Sequence, residues 1–181
     1  MPTNKRWTSD AELIHELRNL FGNVHVAAQT IADPETRSDP AELEEQARRL
    51  LDLTTLTAAG LVLLTSDADK MRPYDLRGAM WCAHLRDSTL SMGEVGPPVI
   101  VDGRAGDGIA LSLELTRALG ASNQVFATQD SGAGIVLSSR GAGIDTALAA
   151  ARKHAAMARS AGLLLAPEGE SIRVLPRKPK A

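Results

Sequence analysis

Apolar residues recur at alternating steps of three and four through Ile14, Leu17, Phe21, Val24, Ala28 and Ile31. That spacing puts a heptad-like stripe on one face of a helix. Ser9 and Glu12 form an S-x-x-E capping box at its start, and Asp33-Pro34 ends it. A second stripe runs through Leu43, Ala47, Leu50, Thr54, Thr57, Leu61 and Leu64, widened by Leu51, Leu53, Leu56 and Leu63. Asp39 as N-cap, Pro40 in the first turn and Glu42 in the capping-box position mark where it begins. The segment 33–40, DPETRSDP, is polar with two Asp-Pro pairs and reads as a connector. Two long helices with so short a connector are expected to fold back as an antiparallel hairpin. Pairing with a second copy would bury both stripes in a four-helix bundle, so a homodimer is expected. The alternative is that the C-terminal half covers the hairpin within one chain.

Beyond Ser66-Asp67 the pattern changes to alternating helix and strand. Helices are expected over Tyr74–Leu90, Asp107–Leu119 and Asp145–Ser160, the last rich in alanine. Strands are expected at Val99–Val101, Gln124–Thr128, Gly134–Ser138, Leu163–Ala166 and Ser171–Leu175. Turns fall at Asp130-Ser131-Gly132 and Glu168-Gly169. The order α-β-α-β-β-α-β-β predicts a small α/β sandwich with helices on one face of a mixed sheet. The fold class is therefore α+β: a helical hairpin over 8–68, then an α/β domain over 72–176.

Composition narrows the function classes. The chain is 44% hydrophobic but only 3% aromatic, so its core must be aliphatic. Twenty basic residues face 22 acidic ones, a balance that calls for neither nucleic acid nor an anionic membrane. The longest apolar run, Ala58–Leu64, is far short of the roughly 20 residues of a membrane span. The start, MPTNKRWTSD, lacks a signal-peptide core. Cys82 is the single cysteine, which excludes an internal disulfide and fits a reducing compartment. A cytoplasmic protein is expected. The basic tail of Arg177, Lys178 and Lys180 reads as a frayed end.

Residues 15–19 read His-Glu-Leu-Arg-Asn, early on the first helix of the hairpin. This resembles the H-box of two-component histidine kinases, whose dimerisation domain carries its phospho-accepting histidine at that place. As a pattern, the resemblance extends over nearly the whole chain. Pro73-Tyr74-Asp75-Leu76 resembles the segment leading into the kinase ATP-binding domain. Val101-Asp102-Gly103 with Asp107 and Leu111 resembles the strand and turn before the N-box helix. Gly134–Leu137 with Gly141-Ala142-Gly143-Ile144-Asp145 resembles the G1 box. The departures are specific. The N-box Mg²⁺-binding asparagine falls at Arg117 and the adenine-binding aspartate of G1 at Ser139. No lid segment separates Ile144 from the last helix, and Leu20 stands where kinases often carry proline. Glycines for close approach to phosphates and a metal-binding carboxylamide are what a nucleotide site needs. The chain thus looks similar to histidine phosphotransferases of the ChpT type, with a degenerate ATPase-like domain.

The resemblance implies a phosphorelay role. An imidazole nitrogen can take a phosphoryl group as a reactive phosphoramidate. His15 is the implied acceptor and Glu16 its orienting proton acceptor. Arg18 and Asn19 lie one turn away on the same side. Arg18 is suited to attract a phosphoryl group and Asn19 to position water or the partner's acidic site. Response-regulator receiver domains are the implied partners and would supply Mg²⁺; this chain would hold no cofactor or metal. A binding module that docks a receiver domain or a kinase without being phosphorylated uses the same surface. An active kinase with an unusual ATP mode is the third reading, opposed by the lost N-box and lid. His25, His84 and His154 read as structural, Cys82 as a small apolar core residue, and Gly141 and Gly143 as turn formers.

Overall fold

The computed structural model describes residues 10–65, 67, 69–93, 96–120, 124–129 and 134–177. Within its helices, the side chains of 10–17, 20, 53, 64 and 65 lie outside that description. The chain separates into two compact units, Met1–Ala58 and Ala59–Ala181. The C-terminal end of the second long helix therefore counts with the second unit, ahead of the boundary expected between 68 and 72.

In the first unit, α1 spans Asp10–Ala32 and α3 begins at Pro40, running on to Thr65. The expected connector is itself helical: α2 covers Pro34–Ser38. Asp33 caps it by accepting from the Glu35 N–H at 2.8 Å, and Pro34 supplies a pre-set first-turn φ. Asp39 then caps α3, accepting from the backbone N–H groups of Ala41 (3.0 Å) and Glu42 (3.3 Å). The Ser9–Glu12 capping box lies outside the described residues. The two long helices keep large apolar groups in solvent: Phe21 and Leu51 of the stripes are 61% and 64% exposed, and Val26 beside them 59%.

The second unit is α+β. A five-stranded mixed sheet has the order β2-β4-β5-β7-β6, built from Leu90–Met92, Val125–Gln129, Ile135–Ser139, Ser171–Pro176 and Leu163–Glu168. β2 runs parallel to β4 and every other pairing is antiparallel. One face is buried in strict alternation: Val125 and Ala127, Ile135 and Leu137, Ile172 and Val174. That period of two is what a sheet covered on one side requires. The covering helices are α5 (Ala105–Gly120), α6 (Ile144–Lys153) and α7 (Ala155–Ser160). Leu111, Leu115 and Leu119 of α5 are buried with them, and each such side chain contributes about 1.5–3 kcal/mol. A separate ribbon pairs β1 (Met71–Asp75) antiparallel with β3 (Ile100–Arg104), Tyr74 opposite Val101.

Three expectations for this unit need correction. The helix expected over Tyr74–Leu90 is α4, Leu76–His84, flanked by two strands. Tyr74 is extended and buried because it pairs in the ribbon, and Asp75 caps α4 by accepting from the Arg77 N–H at 3.0 Å. After α4, Asp87 accepts from the Thr89 N–H at 3.1 Å, an Asx turn that sends Leu90 into β2. Second, Asp102-Gly103 is not a turn; both residues lie in β3, which runs directly into α5. Third, the alanine-rich helix is two helices. His154 leaves helical geometry at φ −99°, ψ 8° and separates α6 from α7. The Asp130-Ser131-Gly132 turn lies outside the described residues.

Candidate functional site

Residues 15–19 lie on the first turns of α1. The backbone of His15 and Glu16 is helical, while their side chains lie outside the described residues. Arg18 and Asn19 follow on the same helix and are both exposed. Helical spacing puts positions 18 and 19 one turn from 15 on one side. Backbone register therefore brings three of the four expected site positions together, with Glu16 next in sequence to His15. A guanidinium and a carboxylamide facing solvent beside an imidazole position can bind a phosphoryl oxygen and donate to it. Ala27, two turns beyond Leu20, is buried, and His25 is exposed.

The residues expected to stand where a nucleotide site would have its binding groups are engaged otherwise. Arg117 is exposed. It pairs with Glu114 (Nη1 to Oε1, 3.0 Å) and approaches Asp87 Oδ2 at 3.9 Å. A guanidinium has no lone pair to offer a metal ion. Ser139 closes β5 and is buried; its hydroxyl finds no partner among the described residues. Its carbonyl accepts from the Ala142 N–H at 3.3 Å, and Gly141 turns the chain with φ +91°. Gly143 then caps α6 without a side chain. These are turn duties, in line with the reading of both glycines.

The remaining histidines and the cysteine serve the fold. His84 Nδ1 donates to the Leu90 carbonyl at 2.5 Å, tying the end of α4 to β2. His154 is buried at the α6–α7 break. Cys82 is 1% exposed, and burial pushes its thiol up to about 12, so it is a protonated core residue. Among the described residues no group of three or more His, Cys, Asp or Glu is placed to hold a metal ion. None of their helices is long and apolar enough to cross a membrane.

One arrangement was not legible in the chain. Phe126, Ser138, Ser139, Arg140 and Glu170 line an open cleft of about 420 Å³ in the second unit. They come from β4, β5 and the β6–β7 turn, which only strand pairing brings together. An aromatic at an outward position of an alternating strand was the available signal.

No family model matches the chain, and no curated protein matches it.

Proposed function

We propose that this protein is a histidine phosphotransferase that relays a phosphoryl group between receiver-domain aspartates through a phosphohistidine at His15. The observation that carries the reading is His-Glu-Leu-Arg-Asn at 15–19 on α1, a long helix with Arg18 and Asn19 exposed. In this reading the His15 imidazole attacks the aspartyl phosphate of a docked receiver domain. The N–P bond forms as the acyl phosphate bond breaks, and the aspartate leaves as carboxylate. Glu16 orients the ring and accepts its proton. Arg18 neutralises charge on the phosphoryl oxygens. The reverse sequence passes the group to a second receiver. Mg²⁺ comes with the receiver.

Two further features support the reading. Exposed Phe21, Val26 and Leu51 leave an apolar surface that a second copy would bury as a four-helix bundle. Arg117 in its acidic pairs cannot replace a metal-binding asparagine, which speaks against phosphorylation from ATP. The test mixes the protein with a receiver domain carrying labelled phosphate. Label transferred to this chain, and lost in His15→Ala, supports the relay. Binding without label favours an adaptor that occupies receivers. Labelling by ATP alone identifies a kinase.

A further inference from the structure

The outer face of the five-stranded sheet carries a cleft that the relay does not use. Phe126 and Ser138 are cross-strand partners between β4 and β5, so both project from the face opposite the helices. Phe126 is 40% exposed there. Arg140 stands just past the end of β5, and Glu170 just before β7. Both are exposed and both line the cleft. Neither has an ion-pair or hydrogen-bond partner among the described residues, so the two opposite charges share one cleft without pairing. Ser139 also lines it, from the register position opposite buried Val125.

We propose that this cleft binds a free α-amino acid. The charges decide the class. An anionic ligand would meet Glu170, and a cationic one would meet Arg140. A zwitterion satisfies both. Its carboxylate is a bidentate acceptor for the Arg140 guanidinium, and its ammonium group donates to Glu170. The Ser138 hydroxyl adds a hydrogen bond at the cleft wall. An apolar or aromatic ligand side chain lies against the Phe126 ring, whose face favours such contacts. The volume of about 420 Å³ lies within the range of small-molecule sites, about 300–1,000 Å³. The site depends only on the second unit and stands apart from the relay reading.

The test is a titration of the full-length, ¹⁵N-labelled chain with L-phenylalanine, followed by the other common L-amino acids. The amide resonances of Phe126, Ser138, Arg140 and Glu170 should shift saturably with at least one of them. N-acetyl-L-phenylalanine lacks the ammonium charge, and L-phenylalaninamide lacks the carboxylate. If L-phenylalanine is the ligand, each should bind about tenfold or more weakly; otherwise the matching blocked forms of the active amino acid serve. Arg140→Ala and Glu170→Ala should each weaken binding about tenfold with unchanged circular dichroism, since both side chains face solvent. Three results overturn the proposal. They are no saturable shift with any amino acid, equal binding of the blocked forms, and full affinity in either variant.

Discussion

Two backbone segments of the second unit meet with no side chain between them, and alanine substitutions there should be costly in a graded way. Gly162 follows α7 with φ +73°, and a Cβ there would stand 2.0 Å from the Asp102 carbonyl oxygen. Gly103 in β3 faces it: a Cβ there would stand 2.1 Å from the Ala161 carbonyl oxygen. The Tyr74 hydroxyl donates to that same Ala161 oxygen at 2.9 Å, so the β1–β3 ribbon rests on this turn. Gly169 is the control, with φ +57° and open space around it. Gly169→Ala carries only the left-handed backbone cost, about 1–2 kcal/mol. Gly103→Ala carries only the steric cost, about 1–3 kcal/mol, because the obstruction is backbone that cannot rotate away. Gly162→Ala carries both, about 2–5 kcal/mol. For a chain of this size 1 kcal/mol moves Tm by roughly 2–4 °C. Thermal unfolding followed by far-ultraviolet circular dichroism should show Tm lowered by about 4 °C or more for Gly162→Ala, and by clearly less for Gly169→Ala. Equal shifts at 162 and 169, or a neutral Gly103→Ala, would refute the packing of the ribbon on the α7–β6 turn.

Other substitutions test other parts of the structure. Arg77 is 4% exposed, pairs with Asp75 at 2.5 Å and donates to the Gly96 carbonyl at 2.6 Å. Arg77→Met should cost about 3–5 kcal/mol in urea unfolding by leaving the Asp75 carboxylate unpaired, and adding Asp75→Asn should recover part of it. Burial, with Asp107 nearby, holds the hydroxyl of Tyr74, the one tyrosine, well above its ordinary value of 10.0. The Cys82 thiol is likewise raised from 9.0 to about 12. Both groups bind protons more tightly folded than unfolded, so their contribution is complete below about pH 9 and is lost as pH rises. Native protein at pH 8 should resist iodoacetamide until it unfolds, and at about pH 11 phenolate absorbance should appear only on unfolding. Asn19→Ala, at an exposed position of α1, should slow phosphoryl transfer while leaving Tm within about 2 °C; a larger fall in Tm would make Asn19 a structural residue.

Local signals carried much of the fold. Asp39 was readable as the cap of α3 because an Asp before Pro at a helix start does the same work in any context, and its carboxylate accepts two backbone N–H groups. The strands β4, β5 and β7 were readable from their alternation, since each buries one face. The ribbon strand β1 was not. MRPYD has no alternation of its own, and Tyr74 is extended only because Val101 lies opposite. β2 is three residues long, and its direction comes from an Asx turn at Asp87. The break at His154 has no proline or glycine to announce it. Of the candidate site, the motif at 15–19 was legible because its members are neighbours on one helix. The cleft at Phe126, Arg140 and Glu170 was not, because its walls meet through strand register.

The relay role turns on the fate of His15. The direct measurement incubates the protein with a receiver domain phosphorylated on its aspartate, then maps the phosphorylated peptide by mass spectrometry. A phosphoryl group on His15 is predicted, stable in alkali, labile in acid, and passed on when a second, unphosphorylated receiver is added. A chain that binds the receiver but never carries phosphate at His15 would contradict it.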